Sequence, residues 1–247
     1  MTWTVQQVFG VPYLSSLGVS NTQMPLLVAS GPIAGLVGPP IIAALSDACQ
    51  SPWGKRKPFI LVGGLGAILS FLLLATARPL ADVVVRSTSA AKTTSHVIAG
   101  LSIYSLNFCI QSLQMGLRAS VVDHFAPHQQ ATANLWISRF SALGSVFVAL
   151  VGLGYSPSFF VLSVLVSSVL IMLLGVVLWA DVTHKIVSNQ RLESRRDAEK
   201  LTISGVTTHF SRLLRKARHL PPITRRTCRV QLVSWFAWFF VLNYTSA

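Results

Sequence analysis

Long apolar stretches run through this chain, and they leave it few alternatives to a lipid bilayer. Four of them have the length and composition of membrane helices: 24–45, 59–77, 97–117 and 158–180. A fifth, 132–153, is nearly as apolar but carries Arg139. At about 1.5 Å of rise per residue, about 20 helical residues cross the roughly 30 Å hydrocarbon core of a bilayer. The sequence therefore predicts an all-α, polytopic membrane protein whose function lies in the polar residues inside its spans.

The charge of the chain is high, but its distribution points to lipid rather than nucleic acid. Charged residues make up only 11% of the chain, whereas about a quarter is usual in soluble proteins. The formal net charge is nevertheless +13, and twelve of the 20 basic residues fall within 181–229, next to a predicted span. We expect this basic segment to meet anionic lipids of the inner leaflet, and we expect no nucleic-acid partner.

Seven membrane spans are predicted, of which the first and the last look incomplete. They are about residues 1–17, 23–45, 59–77, 96–117, 132–153, 158–180 and 231–247. Six spans, a long charged loop and a further span are the layout of a transporter built from two six-helix bundles. We therefore expect a membrane bundle over 1–180, a basic cytoplasmic loop over 181–230 and the start of a second bundle over 231–247. On this interpretation the chain is a truncated carrier.

The basic residues of the links predict how the spans are oriented, because cytoplasmic loops are enriched in Lys and Arg. The link 46–58 contains a run of three basic residues, and the loop 181–230 contains twelve more. These two segments are an even number of crossings apart, so both are expected on the cytoplasmic side. Within the loop, 205–219 has apolar residues at helical spacing. It is either a helix lying on the inner leaflet or a solvated linker.

The fourth predicted span carries a row of polar residues. Asn107, Gln111, Gln114 and Arg118 are spaced four, three and four residues apart, which places them on one helix face. A side-chain amide in hydrocarbon costs several kcal/mol unless it is hydrogen-bonded, so this face should not contact lipid. Amides and a guanidinium suit the hydroxyl groups of a sugar, because amides both donate and accept hydrogen bonds. The alternative is hydrogen bonding between helices, which is common in membrane proteins.

The fifth span repeats this pattern with Asn134, Trp136 and Arg139. Trp136 is either an interface anchor or a surface on which a sugar ring stacks. Arg139 lies inside the span, where its side chain either extends to the inner membrane surface or faces a cavity.

The link after the second span places an acidic residue close to a basic cluster. Asp47 ends one span, Gly54 permits a tight reversal, and Lys55, Arg56 and Lys57 precede the next span. An acidic group held against basic groups at the cytoplasmic rim would form an ion-pair latch that breaks when the bundle moves. The simpler interpretation is that the basic cluster only marks the cytoplasmic side.

Together these residues resemble the sucrose and alpha-glucoside proton symporters of the major facilitator superfamily, which include plant sucrose carriers, fungal glucoside permeases and related animal sugar carriers. The pattern that carries the resemblance consists of Gly31, Pro32, Gly35, Pro39, Ser46, Asp47, Ser51, Gly54, Lys55, Arg56, Lys57, Pro58 and Phe59. Further matches are Gln114, Arg118, Asp123, Asn134, Arg139, Gln231 and Trp235. The resemblance implies a major-facilitator-like N-terminal bundle that transports a sugar such as sucrose by alternating access.

From the pattern and the resemblance together we predict two groups of site residues. The substrate-binding group is Gln6, Asn107, Gln111, Gln114, Arg118 and Asn134. The gating group at the cytoplasmic rim is Asp47, Gly54, Lys55, Arg56, Lys57, Asp123 and Arg139.

The sequence departs from the family pattern at two positions where the family carries groups that can bind the co-transported proton. The family usually carries a carboxylate in the first span, where this chain has Gln6, and another in the fourth span, where it has Asn107. Both changes keep the hydrogen-bonding capacity but remove a group that titrates. Coupling to protons is therefore in doubt for this half of the carrier.

Other functional classes receive less support from the sequence. We expect no enzyme, cofactor or metal site: His124 and His128 have helical spacing, but Pro127 lies between them, and the three cysteines are far apart. We expect a multi-pass protein of the plasma membrane, inactive in transport as a fragment. The alternative is a regulator or partner subunit that does not transport and that uses the basic loop for contacts.

Overall fold

The computed structural model describes residues 2–184 except 21, 50, 52–55, 86, 87, 156 and 157, together with 226, 229, 230, 233, 234 and 237. In a few helical residues, Asp47 and His124 among them, only the backbone is described. The chain divides into two compact units, Met1–Glu199 and Lys200–Ala247. The six described residues of the second unit are helical. Most of the predicted basic loop and of the seventh span lies outside the described residues.

The described part of the first unit is helical and contains no strand. The first predicted span consists of α1 (Thr2–Val5), a π-helical turn (Gln6–Gly10) and α2 (Val11–Ser16). The second and third consist of α3 (Met24–Val28), α4 (Ser30–Ala48) and α5 (Lys57–Ala75), which is followed by the short α6 (Ala77–Val84). The last three are α7 (Thr88–His124), α8 (Pro127–Tyr155) and α9 (Phe159–His184).

Five helical segments are long and apolar enough to cross a membrane, which confirms the predicted all-α membrane architecture. They are Met24–Ala43, Lys57–Ala75, Ala90–Asp123, Pro127–Gly154 and Phe159–Trp179. These segments match the second to sixth predicted spans. The fourth span is longer than predicted, because α7 begins at Thr88 and continues to His124. The fifth also begins earlier, because Pro127, with its fixed φ angle, starts α8.

The closest packing in the bundle is between α5 and α7, where glycines let the two backbones approach. A Cβ atom on Gly63 would lie 2.6 Å from the amide nitrogen of Leu113 and 2.8 Å from the carbonyl oxygen of Cys109. A Cβ on Gly116 would lie 2.6 Å from Cγ1 of Ile60, so the contact recurs further along the helices. These glycines hold α7, which carries the predicted polar face, at a fixed position against α5.

The first span contacts three other helices of the bundle, α5, α8 and α9. The Thr4 hydroxyl donates a hydrogen bond to the Ser145 hydroxyl of α8 at 2.9 Å. The ring of Tyr13 stacks on that of Phe159 in α9 with centroids 4.5 Å apart, and its hydroxyl donates to the carbonyl oxygen of Ala75. The first span therefore connects α8, α9 and α5.

Candidate functional site

Asn107, the first residue of the predicted polar face, is used in a contact between helices. Its side chain is only 3% exposed. The amide nitrogen donates to the Ser30 hydroxyl of α4 at 2.9 Å and to the carbonyl oxygen of Ile103 at 3.0 Å. Ser30 in turn donates to the carbonyl oxygen of Leu27. The Asn107 amide therefore joins α7 to α4, as in the structural interpretation that the sequence left open.

The next residues of this face are more accessible, and Gln111 lies along the same neighbouring helix. Gln111 packs against two glycines of α4, since a Cβ on Gly35 would lie 3.6 Å from its Nε2 atom and a Cβ on Gly38 would lie 3.3 Å from its Cβ atom. Gln111 and Gln114 are half-buried, and Arg118 is exposed. None of these three side chains forms a hydrogen bond with any other described residue. Their polar groups are therefore available to water or to a ligand.

Tyr104 shows that the same face of α7 follows α3 and α4 over several turns. Its hydroxyl donates to the carbonyl oxygen of Leu26 at 2.9 Å. Closer to the start of α7, Nε2 of His96 lies 3.1 Å from the carbonyl oxygen of Leu17, just after α2. The polar face is thus closed at its outer end and opens toward Gln114 and Arg118.

Gln6 lies in the π-helical turn of the first span. Its amide oxygen Oε1 is buried and has no hydrogen-bond partner among the described residues. A π-helical turn inside an α-helix is often found at functional sites, and a buried acceptor without a donor costs about 1–3 kcal/mol. Gln6 is therefore a candidate acceptor for a hydroxyl group supplied by a ligand.

The predicted site residues of α8 lie on its exposed surface and not on the side that packs against the bundle. Asn134 and Arg139 are both exposed. The Arg139 guanidinium carbon lies 5.1 Å from the centroid of the Trp136 ring, which is a cation–π contact. The buried side of α8 is marked by Val148, which is 1% exposed. The sequence signalled Arg139 and Trp136 separately but not their contact.

At the rim that is predicted to be cytoplasmic, Arg56 of the basic cluster pairs with Asp123, which is distant from it in sequence. Nε of Arg56 donates to Oδ2 of Asp123, at the end of α7, at 2.9 Å, and its NH1 group donates to the Ser46 hydroxyl at the end of α4 at 2.6 Å. Arg56 therefore joins the ends of α4 and α7. The Asp47 side chain and residues Gly54 and Lys55 lie outside the described residues, while Lys57 begins α5.

Ser30 and Ser145 were missed in the sequence, although each accepts a hydrogen bond from a neighbouring span. Ser46 was noted only as part of the family pattern, and its hydrogen bond from Arg56 was not predicted. Serine is common in membrane helices, and helical spacing identifies a face but not the helix opposite it. Among the described residues, no group of three His, Cys, Asp or Glu side chains is placed to hold a metal ion. Cys49 and Cys109 are free thiols.

Comparison with known proteins gives a consistent result. A sequence model of the family described as MFS/sugar transport protein matches residues 1–217. The general alpha-glucoside permease of Schizosaccharomyces pombe is 30% identical, over 99% of this chain and 44% of the permease. The sucrose transport protein SUT5 of Oryza sativa is 27% identical, over 99% of this chain and 49% of that protein. The chain spans about half the length of these curated relatives.

Proposed function

Because the chain belongs to the MFS/sugar transport protein family, we propose that it forms part of a secondary transporter that carries a sugar across a membrane by alternating access. The relatives are an alpha-glucoside permease and a sucrose transport protein, so sucrose or another glucoside is the proposed substrate class. Family membership and five apolar helices make the chain a multi-pass membrane protein. The plasma membrane is the proposed location, with the basic segment 181–230 against anionic lipids of the inner leaflet.

The observation that carries this proposal is the open part of the polar face on α7. Gln111, Gln114 and Arg118 lie within or at the end of a membrane-spanning helix, and their side chains form no hydrogen bond with another described residue. An amide facing lipid without a partner would cost several kcal/mol, so these groups should face a water-filled cleft. Sugar hydroxyls would supply both the donors and the acceptors that these side chains need.

Within this proposal, the described half contributes no coupling proton. Gln6 and Asn107 stand where the resembling family carries carboxylates, and neither amide titrates. Asp123 is engaged by Arg56 at the rim and is 43% exposed, so it does not sense a bound sugar directly. Proton uptake by the wild-type chain when sugar binds would contradict this part of the proposal.

Sugar binding by the purified chain tests the function. In lipid nanodiscs, we expect the 247-residue chain to bind radiolabelled maltose or sucrose, and we expect Gln114→Ala to weaken binding about tenfold, as for the loss of one to two hydrogen bonds. Ser168→Ala on α9 is the control, because its exposed hydroxyl bonds only to Leu165 of its own helix among the described residues. In sealed vesicles the same chain should show no uptake, since alternating access needs two bundles.

Two outcomes would contradict the proposal. Absence of saturable binding by the wild-type chain would remove its basis and favour a regulator or partner subunit. Net sugar uptake by vesicles containing only this chain would show that two bundles are not required.

A further inference from the structure

The helix α8 has one face packed on the bundle and an opposite face that no described residue covers. Ser145, Val148 and Gly152 lie on the packed face, where Thr4 donates to Ser145 and the Phe9 ring packs on Gly152. Only 6% of the residues in the α8 span are buried, compared with 44% in the α5 span. At 100° per residue, Trp136, Phe140 and Leu143 project on the side away from this packed face. They are 52%, 67% and 64% exposed.

The position of Arg139 argues that this open face does not meet lipid alone. Residues 127–131 are mostly polar, and the apolar stretch of this span is 132–153. Arg139 stands seven residues, about 10 Å, into that stretch, so its backbone lies well inside the hydrocarbon core. An arginine on lipid at this depth costs about 3 kcal/mol or more, and one cation–π contact recovers only about 1–2 kcal/mol.

Arg139 therefore needs a polar partner that the described bundle does not supply. Its guanidinium has five N–H donors, and no described carboxylate lies within ion-pair distance of it. A ligand or a water-filled cleft at this depth would satisfy these donors. In carriers with repeated bundles, the substrate lies at the midplane between the bundles, so each bundle contributes one wall of the site.

The surface around Arg139 has the size and chemistry of such a wall. A shallow, largely open depression of about 380 Å³ with an apolar lining lies beside this pair, formed by Trp136, Arg139, Phe140, Ala142, Leu143 and Val146 of α8. This volume is within the usual range of about 300–1,000 Å³ for small-molecule sites. The Trp136 and Phe140 rings are 5.9 Å apart, and the guanidinium lies over the Trp136 ring. An aromatic surface is thus placed directly beside a group of hydrogen-bond donors.

A pyranose ring is complementary to this arrangement. Its C–H faces are apolar and carry slight positive charge, which the negative face of an indole attracts. Its rim carries hydroxyls, which accept hydrogen bonds from a guanidinium.

We propose that Trp136 and Arg139 form a sugar-binding subsite on α8, in which the guanidinium leaves the indole face when one pyranose ring of the substrate stacks there, and the sugar hydroxyls then bind Arg139. This inference rests on the proposed function and adds a contact surface outside the polar face of α7. Arg139 then acts in substrate binding instead of cytoplasmic gating. Phe140 packs beside Trp136 and holds the indole in place.

The test measures the binding of radiolabelled maltose to the full chain in nanodiscs. Trp136→Leu should weaken binding at least tenfold, and Trp136→Phe should weaken it less because a ring remains. Arg139→Lys should also weaken binding, since an ammonium keeps the charge but not the planar set of donors. Phe147→Leu is the matched control, because it removes a 50%-exposed aromatic ring about 16 Å further along α8. It should leave the affinity unchanged.

The outcomes separate this inference from the proposed function. Wild-type binding that is weakened by Gln114→Ala but not by Trp136→Leu would overturn the α8 subsite alone. Absence of binding by the wild type would overturn both. Equal losses in Trp136→Leu and Phe147→Leu would also overturn the subsite, because the effect would then not depend on position.

Discussion

At the scale of single residues, Asn107 shows how one amide group can replace a titrating group and still hold the bundle together. Its NH2 group donates two hydrogen bonds, to Ser30 and to Ile103, at a site that is nearly fully buried. A charged carboxylate at this position could not donate to the Ile103 carbonyl oxygen. Burial would also disfavour its charged form, so an introduced carboxyl should bind a proton.

We expect proton coupling to appear when both carboxyls of the resembling family are restored. In the variant Gln6→Glu, Asn107→Asp, sugar binding should become linked to proton uptake or release, because any change in helix packing on binding alters the solvation of the buried carboxyls. Calorimetry of maltose binding in buffers of different ionisation enthalpy measures the number of protons that are taken up or released on binding. The wild type should show none. Gln129→Glu, which adds a carboxylate at an exposed position at the start of α8, is the control.

A double variant that binds sugar without any proton exchange would contradict the view that these two positions determine coupling. The measurement depends on the fold, so the thermal unfolding of the variant should be recorded as well. A buried carboxyl that is neutral in the folded state binds more protons than in the unfolded state. Stability should therefore fall as the pH rises above about 4, where the carboxyl of the unfolded chain ionises, and binding is best measured on the acidic side.

At the scale of helices, the contact between α5 and α7 depends on glycine. Gly63→Ala would place a Cβ atom 2.6 Å from the Leu113 nitrogen and 2.8 Å from the Cys109 oxygen, both backbone atoms that cannot turn aside. We expect a loss of about 1–3 kcal/mol, seen as a lower unfolding temperature in detergent. Gly175→Ala in α9 is the matched control, since nothing lies within 4 Å of its added Cβ. Equal stability of the two variants would contradict this packing.

The sequence predicted the helices themselves better than it predicted the contacts between them. Apolar length was sufficient to predict five spans, because a bilayer allows few alternatives to a helix of about 20 residues. The ends of α7 and α8 were predicted too far inward, because the polar residues 88–95 and 127–131 add helix outside the apolar core. The spacing of Asn107, Gln111 and Gln114 predicted one face correctly. It could not predict that Ser30 would meet that face, since helical period carries no information about the opposing helix.

At the scale of the whole molecule, Arg56 joins the ends of α4 and α7 at one rim of the bundle. Its partner Asp123 is 43% exposed and Arg56 itself is 18% exposed, so solvent weakens their attraction. Exposed ion pairs contribute about 0–1 kcal/mol, which is too little to hold the fold but enough to bias two conformations. A pair of this strength suits the ion-pair latch, which is one of the two interpretations of the basic cluster, with Asp123 as the acid.

We expect Asp123→Asn to change access more than stability. The unfolding temperature should shift by little, whereas labelling of Cys49 by a maleimide should accelerate, because Cys49 lies beside the end of α4 that Arg56 holds through Ser46. All variants also carry Cys109→Ser and Cys228→Ser, so that Cys49 is the one cysteine that can be labelled. Asp82→Asn, which removes an exposed acid on α6, is the control. High salt should mimic Asp123→Asn by screening the pair. Slow labelling combined with a large loss of stability would contradict the latch.

The length of α7 has a consequence for how the protein meets its surroundings. With 37 residues it extends over about 55 Å, far more than the hydrocarbon needs, and α6 packs against it through Ala77 and Ala81, which are almost fully buried. Even at a tilt of about 40°, its reach of about 42 Å exceeds the hydrocarbon core and extends through the headgroup layers. The start of α7, together with α6, should therefore be exposed at the membrane surface, where an antibody or a neighbouring protein would meet it before the lipid.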